Sequence, residues 1–104
     1  MTPYNINWKS NNMLDLYNLS PSQIILYGVT WCGDCRRARQ IFAEKAIPYV
    51  DIDVEQDTEA AEFVKKINHG FQSVPTIVFP DGTILTEPDR LTLTEKLDAT
   101  QPTA

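Results

Sequence analysis

The chain has 104 residues, 42% of them hydrophobic, with 9 basic against 14 acidic side chains and a net charge of −5. That length bounds it to one domain with a modest core, and the acidic balance argues against nucleic acid, whose phosphates need a basic face. No stretch approaches the roughly 18 apolar residues of a membrane span, and the polar residues 1–12 lack the basic and apolar regions of a secretory signal, so a cytoplasmic location is expected.

Residues 1–22, rich in Asn, Ser and Pro, read as an N-terminal extension, mobile or loosely docked. Its one apolar cluster, residues 13–19, suits a helical turn or docking on the core. A strand over residues 23–29 opens the compact domain and runs into Thr30-Trp31-Cys32-Gly33-Asp34-Cys35. Cys35, Ala38, Ile41, Phe42 and Ala46 then recur at helical spacing, predicting an amphipathic helix over residues 33–46. Pro48 ends it, and residues 49–54 form a second strand, completing a βαβ unit with a right-handed connection. Asp57 or Thr58 caps a second helix whose apolar face is Ala60, Phe63, Val64 and Ile67, and Asn68-His69-Gly70 stops it. Residues 76–79 and 83–86 read as a hairpin around Asp81-Gly82. A last helix over residues 90–98 points Leu93 and Leu97 inward, started by the capping box Thr92-x-x-Glu95 or by Asp89. The order β-α-β-α-β-β-α predicts an α/β fold in residues 23–99, with a four-stranded mixed sheet, helices on both its faces, and a tail at residues 100–104.

Cys32 and Cys35 are the only cysteines. A C-x-x-C pair at a strand-to-helix junction points to thiol–disulfide redox chemistry. Residues three apart in the first helical turn share a face, about 5–6 Å apart, within reach of a disulfide. The helix N-terminus adds partial positive charge and free N–H donors, which favour a thiolate on Cys32. Cys32, nearer the exposed end, is therefore the expected nucleophile. Cys35, on the buried face, either resolves the mixed disulfide or is a small core residue beside a one-thiol reaction. The Asp34 carboxylate opposes the developing anion while complementing the helix dipole. Arg36, Arg37 and Arg39 follow the pair directly, and Arg36, four residues after Cys32, is placed to stabilise the thiolate or attract an acidic substrate. Trp31 shields one side of the sulfur and offers a surface to partners. Tyr27 packs the core or the floor of the site, and His69 is a helix-ending residue rather than a ligand or base. The acidic residues Asp51, Asp53, Glu55, Asp57, Glu59 and Glu62 read as a solvated face.

This element order, with C-x-x-C after the first strand, resembles the thioredoxin fold and, in its minimal form, the glutaredoxins. Gly70-Phe71-Gln72-Ser73-Val74-Pro75 is similar to the G-x-x-[ST]-V-P motif of glutaredoxin-like proteins, and Asp81-Gly82 falls at the expected hairpin. The resemblance implies a cis Val74–Pro75 bond facing the cysteines, with the Val74 backbone pairing an extended thiol substrate and Gln72 contacting the thiol cofactor. Several positions depart from close relatives. Leu26 stands where thioredoxins bury a carboxylate, and Asp34 where they place Pro. Val29 and Thr30 stand where glutaredoxins carry a Lys, and residues 85–88 replace their Gly-Gly. Ala61-Glu62-Phe63-Val64, Val74-Pro75-Thr76, Asp81-Gly82-Thr83 and Leu85-Thr86 look most similar to mycoredoxins, which act on mycothiol mixed disulfides.

The expected function is thus a monomeric thiol–disulfide oxidoreductase acting on disulfide-containing or thiolated proteins. Its co-substrate is a low-molecular-weight thiol, mycothiol or glutathione, or it is recharged by a thioredoxin-reductase type of reductant, and it holds no bound cofactor or metal. The alternative is a dimeric module holding an iron–sulfur cluster or zinc through the same cysteines, since one chain offers two thiols and a distant His69 against the four ligands zinc takes.

Overall fold

A computed structural model of the chain describes residues 19–100; the expected helical turn or docking of residues 13–18, the aromatic residues Tyr4, Trp8 and Tyr17, and the tail from residue 101 lie outside the described residues. The elements run β1 (Ile25–Gly28), α1 (Gly33–Glu44), β2 (Val50–Asp53), α2 (Thr58–Ile67), β3 (Thr76–Val78), β4 (Ile84–Thr86) and α3 (Arg90–Thr100). The sheet order is β2-β1-β3-β4. β1 pairs parallel with β2, Ile25 opposite Val50, and antiparallel with β3, Leu26 opposite Ile77. The β3–β4 hairpin is antiparallel, Ile77 opposite Leu85.

The four residues of β1 are all buried, as a central strand covered on both faces requires. Its alternation decides which helix covers which face. Ile25 and Tyr27 join Ala60, Phe63 and Val64 of α2, whereas Leu26 joins Ala38, Ile41 and Phe42 of α1 and Leu93 and Leu97 of α3. Tyr27 lies against Phe63 with ring centroids 5.4 Å apart, and Phe42 stacks on Tyr49 at 4.4 Å. Each such buried side chain contributes about 1.5–3 kcal/mol of transfer free energy. Across the helical layer, Lys45 pairs with Asp98 and Arg90 with Glu44, exposed ion pairs worth little individually.

The helix ends are where chemistry corrects periodicity. The apolar spacing carried α1 to Ala46, but the helix stops at Glu44 and Ala46 takes a positive φ of 55°. The N–H of Ala46 bonds the carbonyl of Ala43 and that of Ile47 the carbonyl of Phe42, a Schellman closure with alanine where glycine is usual. The outer bond of that closure also ends α2, with the N–H of Gly70 on the carbonyl of Lys65 and His69 at φ 59°; Asn68-His69-Gly70 is the stop expected of it. Of the alternative caps, Asp57 starts α2 by accepting the N–H of Ala60 at 3.0 Å. Asp89 starts α3, accepting the N–H of Thr92 at 2.8 Å. That hydrogen bond holds the Asp89 carboxyl below its ordinary pKa.

Candidate active site

The site forms where β1 ends and α1 begins, at the carboxyl end of the central strand. Gly28 is required there by close approach. A Cβ on it would lie 3.0 Å from both the Cys35 sulfur and Leu26 Cδ2, and 3.2 Å from Arg39 Nη2. Cys32 has extended backbone (φ −86°, ψ 125°) and is the N-cap of α1, its sulfur accepting the N–H of Cys35 at 3.4 Å. The Cys32 sulfur thus sits in the ring of N–H groups that every helix start leaves open.

Cys35 is fully buried. Burial pushes its thiol up to about 11; the Val29 backbone hydrogen bond and the Arg39 charge pull the other way, and the hydrogen bond and charge of Cys32 add to the rise. The half-buried sulfur and the buried one thus differ in access, and both are free thiols.

The third component arrives from the far side of the chain. Val74–Pro75 is a cis peptide bond, and the Cys32 thiol faces the Val74 carbonyl oxygen at 3.9 Å. This segment is tied down by a polar network behind it. Asn68 Nδ2 donates to the Val64 carbonyl (2.9 Å) and to Thr76 Oγ1 (3.1 Å), Thr76 Oγ1 donates to the Ser73 carbonyl (2.7 Å), and Thr86 Oγ1 donates to Asn68 Oδ1 (2.8 Å). One asparagine thereby joins the end of α2 to β3 and β4, next to the segment that faces Cys32.

Of the residues singled out from the sequence, the structure brings together Cys32, Cys35, Val74 and Pro75. Trp31 is 67% exposed and is fixed by its Nε1–H donating to Glu55 Oε2 at 2.8 Å. Gln72 is exposed beside Phe71, itself 69% exposed. Arg36 is exposed on α1, and Asp34 is engaged by Arg37 at 2.8 Å. Tyr27 is core, as expected. The residue the sequence reading left without a role is Arg39. Its spacing of four from Cys35 on one helix face was the signal available. A recess of about 490 Å³ lined by Leu19, Phe63 and Ile67 lies on α2 and contains none of these residues.

Fold and site together define a thioredoxin-fold protein with a dithiol at the start of its first helix. Comparisons with known proteins agree with that class. Glutaredoxin C1 of Populus tremula x tremuloides, in its holo form, superposes with a TM-score of 0.61 at 17% identity, covering 86% of this chain and 88% of that one. The thioredoxin-like protein BC3987 gives 0.60 at 23% identity, covering 76% and 100%. The glutaredoxin family model matches residues 24–84. Mycoredoxin 1 of Corynebacterium glutamicum is 37% identical over 78 residues, 75% of this chain and 96% of that protein. A Mycobacterium tuberculosis protein carrying a glutaredoxin name is 40% identical over 65 residues, 62% of this chain and 77% of its own. The chain belongs to the glutaredoxin family, and with it to the thiol redox proteins.

Among the described residues, no helix is long and apolar enough to cross a membrane, and no three His, Cys, Asp or Glu side chains gather as a metal-ligand set.

Proposed function

We propose that the chain is a mycoredoxin-like thiol–disulfide oxidoreductase of the cytoplasm, working as a monomer through residues 23–99. Cys32 is the nucleophile and Cys35 the resolving thiol. The observation that carries the reading is the placement of the Cys32 sulfur as the N-cap acceptor of α1, opposite the Val74 carbonyl, with Cys35 buried behind it. The Cys32 thiolate attacks the sulfur of a mixed disulfide in line with its S–S bond and expels the partner thiolate. The substrate chain lies extended along the Val74 backbone, in the manner of an added strand. Trp31, held by Glu55, walls one side, while Gln72 and Arg36 contact the polar parts of the small thiol. Either Cys35 or a second molecule of that thiol then releases Cys32.

Mycothiol is favoured as the small thiol because Val29, Thr30 and residues 85–88 replace the Lys and Gly-Gly that hold glutathione, and because a mycoredoxin is among the relatives. The test is reduction of one protein mixed disulfide, capped in turn with mycothiol and glutathione, by wild type and Cys35→Ser. Preference for mycothiol supports the reading, whereas equal or faster turnover of the glutathione adduct makes the protein a divergent glutaredoxin. Cys35→Ser should lose reduction of protein disulfides and keep cleavage of mixed disulfides. Loss of both removes the one-thiol route.

A further inference from the structure

Arg39 occupies a place where a charge needs a reason. Its guanidinium lies between α1 and the edge strand β2, with its side chain only 22% exposed. Nε and Nη2 donate to the Asp51 carboxylate at 2.8 and 3.2 Å, and Nη1 donates to the Val29 carbonyl at 3.1 Å. Three hydrogen bonds therefore fix its plane. Nη2 and the Cys35 sulfur share the space over the bare Cα of Gly28, lying 3.2 and 3.0 Å from the position a Cβ would take. The recess on this side, about 410 Å³, is lined by Thr30, Arg39, Asp51 and Asp53.

We propose that Arg39 is a positioning residue for the resolving step, its fixed cation favouring the thiolate form of Cys35, and that Asp51 is the opposing charge that moderates it. This deepens the dithiol reading above and rests on it. In the step concerned, the Cys35 thiolate attacks the Cys32 sulfur of the mixed disulfide. The Cys35–Cys32 bond forms, the Cys32–substrate bond breaks, and the electron pair leaves on the substrate sulfur, which takes a proton. The substrate is reduced to a thiol, the cysteine pair is oxidised, and a low-molecular-weight thiol or a dithiol reductant restores it. The step is slow unless Cys35 sheds its proton, and burial opposes that loss. The groups acting on Cys35 are Cys32, the Val29 backbone and Arg39; those acting on Arg39 in turn are Asp51, Cys35 and Tyr49.

The two charges make predictions of opposite sign, which a purely structural clamp does not. The protein is loaded on Cys32 with a chromogenic aryl thiol, and release of that thiol by Cys35 is followed in single turnover from pH 6 to pH 12. Arg39→Met keeps the stem and drops the charge. Release should slow about tenfold at neutral pH, with the midpoint of the pH profile moving up about one unit. Asp51→Asn keeps the shape and drops the opposing charge, and should speed release and move the midpoint down. Arg39→Lys should restore most of the shift, and the rate of loading Cys32 should be unchanged in all three. If both charge variants slow release alike with the midpoint unmoved, Arg39 and Asp51 are a clamp and the proposal fails. Should Arg39→Met not fold, the Asp51→Asn and Arg39→Lys profiles decide the same question. Absence of release from wild type would instead overturn the dithiol reading itself.

Discussion

The starts of α1 and α2 are built on one plan and do different work. In each, the residue before the helix is extended and its side chain accepts the N–H three residues on, Cys32 from Cys35 at 3.4 Å and Asp57 from Ala60 at 3.0 Å. An oxygen cap is chemically inert and satisfies an otherwise orphaned donor. A sulfur cap is a longer, weaker acceptor, and under the proposed function it leaves the nucleophile in the same favourable field. On that reading the helix start serves stability in one place and reactivity in the other, the difference being a thiol in place of a carboxylate.

Exchange of the two cap chemistries should have the largest effect. Cys32→Ser retains an acceptor and should leave the melting temperature within a few degrees of wild type, while disulfide reduction falls to background, a loss of at least about a thousandfold. Surviving turnover would remove Cys32 as nucleophile. Cys32→Asp, which copies the α2 start, should be equally inactive and at least as stable as Cys32→Ser. Next in size is a pH effect confined to α1. The folded protein holds the proton on Cys35 up to about pH 11 against a reference of 9.0. The unfolded chain therefore loses that proton first, so this contribution is complete below pH 9 and is lost as pH rises through 11. Denaturant melts of the reduced protein should show a decline over that window that is reduced in Cys35→Ala. A smaller effect is expected at the inert cap. Asp57→Ala should cost about 1 kcal/mol, or about 4–8 °C in melting temperature, with turnover unchanged. The smallest concerns the opposite end of α1. Ala46→Gly relieves the positive φ at an exposed position and should stabilise by about 0.5–1 kcal/mol in the same melts.

How much of this was legible in the chain depends on the range of the interaction. The helices, the order of the elements along the chain and the C-x-x-C junction follow from local periodicity and spacing, so all seven elements emerged, with ends shifted by one or two residues. The stop at Glu44 was missed because an alanine does the work usually signalled by glycine, and Ala46 reads as one more apolar position on the helical face. The cis Val74–Pro75 bond was expected from a motif rather than from physics, and the structure carries it. What local reading does not supply is pairing across the fold. The Trp31–Glu55 hydrogen bond spans 24 residues and the Arg39–Asp51 pair spans 12. From sequence, Arg36 and Arg39 each follow one cysteine by four residues, Cys32 and Cys35 in turn, and it is the position of β2 that gives Arg39 its partner. The Asn68 network joins three elements in the same way. Its members are ordinary polar residues until β3 and β4 are set beside the end of α2.

The sheet order has a consequence for solubility. Among the described residues β2 is an outer strand, and its outer edge offers backbone donors and acceptors to any strand that approaches. Along it, Asp51 and Asp53 project from the same face, two residues apart. A second copy docking antiparallel along this edge would bring carboxylates close to carboxylates, in a chain that already carries five excess negative charges. Two members of the acidic run, Asp53 and the Asp51 held by Arg39, therefore disfavour growth of the sheet along this edge.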